Sequence, residues 1–165
     1  MHPMTSAHAS ISSRFSPRLR RLLQVGAIIM MAGFGSSCAV HENTRHLGPG
    51  VSDSSVSSLR TFYVRKHGDD DYKLGEEIAK QLQQMGYQAS VGSAEKAPAR
   101  VDAVVTYKDR WMWDITMYLL SLEVQLREPG SDATLLTAKT IRSSLVRKSQ
   151  QEVVKETLTK LLKNS

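Results

Sequence analysis

Cys38 is the only cysteine of the 165-residue chain, and the small residues Gly35, Ser36 and Ser37 come directly before it. A lone cysteine cannot form an internal disulfide, so the folded part must be stable through burial of apolar side chains or through a partner. We therefore treat Cys38 as a candidate modification site in its own right rather than as part of a disulfide framework.

The histidines show no catalytic or metal-binding pattern. After Cys38 the sequence contains His41, His46 and His67. Hydrolytic chemistry needs an activated nucleophile or a paired acid and base, and no serine or cysteine motif lies beside His67. His41 and His46 are five residues apart in an irregular segment, which is not a ligand spacing for zinc. The sequence thus predicts no catalytic residue, no metal site and no cofactor.

Three consecutive acids, Asp69, Asp70 and Asp71, precede a helical pattern. They lack the alternating oxygen ligands and the distal glutamate of a calcium loop. Carboxylates at the start of a helix accept hydrogen bonds from its unpaired N–H groups and favour the positive end of its dipole. We therefore predict that these acids stabilise the start of a helix, with Asp71 as the capping residue.

The basic residues suggest an anionic surface ligand but not nucleic acid. Arg142, Arg147 and Lys148, with Arg127 across a predicted hairpin, could face lipid phosphates, lipopolysaccharide or a peptidoglycan carboxylate. Solvated strand and loop charges are the alternative. Four of the 22 basic residues precede the first apolar run, whereas all 16 acidic residues follow it. The chain after that run therefore has a net charge of only +2. With no glycine-rich phosphate loop and no base-stacking basic motif, nucleotides and nucleic acids are not predicted partners.

Trp111 and Trp113 are a distinctive pair of large amphipathic rings between two predicted strands. In an extended segment the two rings point the same way. With Met112, Met117 and Leu119 nearby, they could form an exposed apolar contact that docks a protein or a membrane. The alternative is that both rings close the edge of the core beneath the end of a helix.

The chain begins with a segment typical of an export signal. Residues 1–21 contain four arginines and no acid, and residues 22–34 form an apolar run of 13 residues. That length fits the hydrophobic region of a secretory signal and is short of the ~20 residues that a helix needs to cross a bilayer. We predict a signal peptide over residues 1–37, with translation starting at Met1 or Met4.

Residues 38–60 and 61–165 have different characters. The first segment is rich in Ser, Gly and Pro and has no periodic apolar spacing, which is typical of a flexible tether after Cys38. All predicted helices and strands lie within residues 61–165. We therefore expect that part to form the folded domain and to fold without the tether.

The predicted domain is of the α+β class. Leu74, Ile78, Leu82 and Met85 repeat at helical spacing, and Ser149 opens a capping box at the start of a terminal helix. Strand patterns occur before the first predicted helix and between the two predicted helices. In the longest strand the alternation assigns one set of residues to the core, namely Tyr118, Leu120, Leu122, Val124 and Leu126. The predicted order is β-α-β-β-β-α, with two helices packed on one face of a mostly antiparallel sheet.

The N-terminal segment resembles the signal of bacterial lipoproteins, whose lipobox places small residues before a cysteine. In this chain Gly35 stands where the family usually has leucine. The resemblance implies that Cys38 carries a lipid and becomes the first residue after cleavage. Because Ala39 and Val40 follow rather than an acid, it also implies the outer membrane, facing the periplasm. A general signal peptide with a chance cysteine is the alternative.

The domain resembles small periplasmic α/β lipoproteins, such as the lipopolysaccharide-transport lipoprotein. An uncharacterised lipoprotein family shares a Gly-Tyr pair followed by an Asp-Ala-Val-Val-like strand, which are Gly86-Tyr87 and residues 102–105 here. The resemblance implies a non-catalytic binding or assembly role, with an envelope protein or a glycolipid as partner. An envelope hydrolase or transferase is the alternative from a different class.

Overall fold

The structure is a computed structural model that describes residues 42–68, 70–143 and 147–163. Cys38, the predicted signal peptide and Asp69 lie outside these ranges. The elements, in chain order, are β1 Glu42–Leu47, α1 Asp53–Ser57, β2 Thr61–Arg65, α2 Leu74–Gln84, β3 Gln88–Gly92, β4 Ala103–Asp114, β5 Thr116–Arg127, β6 Thr134–Ile141 and α3 Gln150–Leu162.

The predicted α+β class is confirmed, but the sheet is mixed rather than mostly antiparallel. Its strand order is β1-β6-β5-β4-β2-β3, and β2 pairs in parallel with both β3 and β4. The other three pairs are antiparallel. β2 and β3 are parallel because α2 carries the chain from the end of β2 back to the start of β3, and the loop over residues 93–102 likewise returns the chain from the end of β3 to the start of β4. The fold also has one strand more after Thr61 than the predicted order β-α-β-β-β-α counts.

Helices α2 and α3 pack on the same face of the sheet, as predicted. Their apolar stripes and one side of each central strand form a single buried cluster. The largest side chains in that cluster with almost no exposed surface are Phe62, Leu74, Ile78, Leu82, Leu122, Leu126, Leu136, Leu158 and Leu161. Burial of this cluster is the main driving force for folding, and none of the helices in the described ranges covers the opposite face of the sheet.

The expectation of a flexible tether over residues 38–60 is wrong for its described part. β1 pairs with β6 over six residues, and α1 places Val56 in the core. Arg45 ties both elements to the domain, because its guanidinium donates to Asp53 Oδ1 over 2.6 Å and to the Leu161 carbonyl oxygen. The apolar pattern gave no sign of β1 because an edge strand with polar side chains is held through its backbone.

A β-bulge in the β4–β5 hairpin changes which residues face the core. Arg110 pairs with Ser121 and Trp111 with Leu119, so the pairing skips Leu120. One extra residue reverses the alternation beyond that point. Leu119 is therefore buried in the core cluster, whereas Leu120 is only partly buried, contrary to the predicted face.

Helix capping follows the predicted type with one change of residue. Asp70, not Asp71, accepts hydrogen bonds from the N–H groups of Leu74 and Gly75, at 2.7 and 2.8 Å. The capping box of α3 is formed between Ser149 and Glu152, as predicted. Hydrogen bonds from Ser149 lower the pKa of the Glu152 carboxyl.

Candidate functional site

The β4–β5 hairpin extends past the rest of the sheet. A row of paired residues crosses the sheet at one end: Glu42 pairs with Ile141, Ile141 with Ser121, and Ser121 with Arg110. Beyond this row the two strands continue, paired with each other, to Asp114 and Thr116. We call residues 112–117 the hairpin tip.

Apolar side chains at the hairpin tip are exposed to solvent. The exposed fraction is 69% for Trp113, 83% for Ile115 and 47% for Met117, and Met112 is also exposed. Large apolar side chains that gather at one point, rather than scattering singly, mark an interaction surface.

Ile115 makes the tight connection between β4 and β5 with a φ of 63°. A β-branched residue seldom adopts this left-handed conformation, which glycine or asparagine adopts at much lower cost. The turn thus holds an unfavourable residue whose side chain faces solvent. Backbone conformations of this kind cluster at functional sites.

The structure gives Trp111 and Trp113 different environments on the same side of β4. Trp111 stacks on Tyr72 with ring centroids 3.9 Å apart, packs against the core and donates through Nε1 to Asp109 Oδ2. Two residues further on, Trp113 has passed the end of the core. Trp111 thus closes the core edge, whereas Trp113 forms part of the exposed hairpin tip.

The basic residues near the end of β6 do not form one surface with Arg127. Arg142 is buried in an ion pair with Glu156, which also accepts from Lys148 Nζ at 3.0 Å. Burial lowers the pKa of Arg142. Arg147 lies over the Tyr118 ring and pairs with Asp114 at 2.6 Å, so it braces the hairpin tip.

A groove of about 680 Å³ lies at the opposite end of the sheet, on the face without helices. Val104 forms part of its apolar wall, and the loop before β4 covers this region, held by hydrogen bonds between Tyr63 Oη and the backbone of Ala94. The charged residues that line it are Arg65, Glu95, Lys96, Arg100 and Asp132. The volume falls within the range of ligand sites, and cations outnumber anions in the lining.

Two guanidinium groups share the carboxylate of Asp132 at this groove. Arg127 donates to Asp132 Oδ2 over 2.9 Å and also to Thr106 and Gln125, so its donors are largely satisfied. Arg65 has only a long 3.4 Å contact with Asp132, and its buried Nε has no hydrogen-bond partner among the described residues. The terminal nitrogens of Arg65, rather than this buried Nε, therefore have donor capacity for an anionic group in the groove.

His67 lies exposed at a depression of about 270 Å³ that adjoins the groove, with Arg65 and Asp132 lining both. Two hydroxyl groups line this depression, and both have other hydrogen-bond partners. The Thr106 hydroxyl accepts from Arg127 Nε, and the Tyr107 hydroxyl donates to Asp70 Oδ2 over 2.9 Å. Burial raises the pKa of Tyr107 far above its usual value, which keeps the hydroxyl protonated. Neither oxygen is thus paired with the imidazole as a hydrolase nucleophile would be.

In the parts of the chain that the structure describes, no group of three or more His, Cys, Asp or Glu side chains could hold a metal ion. None of the helices in those ranges is long and apolar enough to cross a membrane.

The described residues thus define an α+β domain with a mixed six-stranded sheet, and its fold has a counterpart among solved structures. No protein-family model and no curated protein matches the sequence. The chain is similar to the PelC dodecamer from Paraburkholderia phytofirmans, with a TM-score of 0.50 and 11% identity over 76% of this chain and 100% of that chain. A minor lipoprotein from Acinetobacter baumannii gives a TM-score of 0.31 and 15% identity over 65% of this chain and 97% of its own. At 11% identity the likeness to PelC is one of fold.

Proposed function

We propose that this protein is a non-catalytic lipoprotein, anchored in the outer membrane through a lipid on Cys38 and facing the periplasm. In this proposal the sheet face without helices binds an envelope ligand that carries a phosphate or carboxylate, such as an anionic glycolipid. The groove beside Arg65 is the observation that carries the ligand class.

The anchor rests on the residues that precede and include the only cysteine. An apolar run of signal-peptide length ends in small residues directly before Cys38. Lipidation of the thiol would hold the domain at a membrane without a spanning helix.

Replacing Cys38 by alanine is expected to abolish fatty-acid labelling and to leave the full-length precursor, because alanine has no thiol to form the thioether. Labelled palmitate and the change in mass on processing measure this in growing cells. Ser36→Ala is the matched control, because it keeps a small residue before the cysteine. Equal palmitate labelling of the Cys38→Ala variant and the parent would refute the anchor.

The ligand class follows from the charges and walls of the groove. Arg65 has unused donors beside Asp132, Lys96 and Arg100 add positive charge, and Val104 offers an apolar wall. A planar guanidinium binds phosphate or carboxylate through two parallel hydrogen bonds. An amphipathic ligand with an anionic head group fits both the charged and the apolar parts of this lining.

Arg65→Gln is expected to weaken binding of purified lipopolysaccharide by roughly tenfold, because one charge-assisted contact is worth about 1.5–3 kcal/mol and 1.4 kcal/mol is a factor of ten. Titration of the mature lipoprotein in detergent measures the affinity. Lys139→Gln is the matched control, since it removes one positive charge from β6 without touching the groove. Equal losses in both variants, or none in either, would contradict the groove as the site. Unchanged binding of dephosphorylated lipopolysaccharide would assign the contact to a carboxylate.

A further inference from the structure

We propose that the hairpin tip inserts into the interface of the same membrane that holds the lipid on Cys38. This inference rests on the lipid anchor proposed above and names the bilayer as the partner of the exposed Trp113, Ile115 and Met117. It extends the docking role predicted for Trp111 and Trp113, of which the structure leaves Trp113 at the surface.

β1 begins at the end of the sheet from which the hairpin tip projects. Glu42, the first residue of β1, lies in the row that includes Ile141, Ser121 and Arg110, and the sheet beyond this row is the projecting part of β4 and β5. Because β1 begins at that end and Cys38 precedes Glu42 by only four residues, the covalent chain ties the proposed anchor to the end of the sheet at which the tip projects.

The available chain length matches the projection of the tip. Cys38 precedes Glu42 by four residues. An extended chain covers at most about 3.6 Å per residue, so the Cα atom of Cys38 can lie no further than about 14 Å from that of Glu42. The tip projects beyond the same row by four residues, from Arg110 to Asp114, which is roughly 13 Å of strand. A domain held by so short a connection has its hairpin tip within reach of the bilayer.

The size and chemistry of the tip favour a bilayer over a protein. A stable protein interface buries about 800 Å² on each partner, far more than the side chains at one turn can offer. Tryptophan is enriched where membrane meets water, and isoleucine and methionine enter the acyl region favourably. Lys73, exposed at the start of α2, adds positive charge toward anionic head groups.

The test uses the mature lipoprotein with Trp111→Phe, which leaves Trp113 as the only tryptophan and keeps a ring against Tyr72. The protein is placed in vesicles of phosphatidylethanolamine and phosphatidylglycerol with brominated acyl chains, which quench nearby tryptophan fluorescence. We expect quenching of Trp113 and a blue shift of its emission. The Trp113→Phe variant, which reports Trp111 alone, is expected to show much less quenching.

Ile115→Asp is expected to reduce the quenching of Trp113 severalfold, because it places a charge at the point of insertion. Ser54→Asp adds the same charge to the first turn of α1, an exposed position between the end of β1 and the start of β2, and should change nothing. If Trp113 is not quenched although the protein still incorporates palmitate, the proposed insertion of the hairpin tip is refuted and the proposed lipid anchor is not affected. Lack of palmitate in the parent overturns the anchor itself. Crosslinking of position 113 to a protein in intact envelopes, with no quenching in vesicles, overturns the bilayer as partner.

Discussion

A chain shortened to begin at Leu59 is expected to be less stable than one that begins at Ala39 by about 4 kcal/mol or more, out of the roughly 5–15 kcal/mol that holds a domain folded. The shortening removes β1 and α1, and with them the six-residue pairing to β6 and the buried side chain of Val56. The shortening also removes two hydrogen bonds to α3, from Asn43 to the Glu156 carboxylate and from Arg45 to the Leu161 carbonyl oxygen. Urea unfolding of the two chains measures the difference.

The control for this loss is Val56→Ala in the longer chain. It removes one buried side chain and keeps β1, so its expected cost is about 1–2 kcal/mol. A shortened chain as stable as the longer one would show that β1 and α1 add nothing to the fold, and would restore the expectation that residues 61–165 suffice.

Trp111→Ser is expected to destabilise the domain by about 2–3 kcal/mol, whereas Trp113→Ser should change its stability by no more than about 0.5 kcal/mol. Trp111 loses its stacking on Tyr72 and its contact with the core, and a serine leaves a gap there. Trp113 is 69% exposed and contributes little apolar burial. Urea melts of the two single variants beside the parent separate the roles.

Trp111→Phe serves as the conservative control, because it keeps an aromatic ring against Tyr72 and is expected to recover most of the lost stability. A large loss in Trp113→Ser would place that ring in the core rather than at an interaction surface. That result would also remove the structural reason for an exposed tip.

Much of the fold was predictable because its helices and central strands repeat apolar residues at their own periods. Leu74, Ile78 and Leu82 indicate α2, and the Ser149 capping box indicates the start of α3. β1 was missed because an edge strand is recognised by the backbone of its neighbour, not by an apolar alternation. The bulge at Leu120 was missed because both neighbouring leucines suit the core, so only the pairing with β4 decides between them.

The candidate site was predictable only in part. The composition of residues 111–117 marks an apolar connection, and the alternation places Trp111 and Trp113 on one side. Where the core ends along β4 depends on the position of Tyr72, which is distant in the sequence. The groove depends on the contact between Arg65 and Asp132, which are 67 residues apart in the sequence. No local sequence pattern predicts a contact over such a separation.

The length of the β4–β5 hairpin has a geometric consequence for the membrane orientation that we propose. From Val104 at the groove to Asp114 at the tip there are ten residue steps, or roughly 33 Å of strand. If the tip lies in the head-group layer, as we propose, the hairpin holds the groove well clear of the bilayer. In that arrangement a ligand in the groove would be outside the lipid phase and accessible to water-soluble neighbours, so the length of these two strands would set the distance from the membrane at which the ligand is passed on.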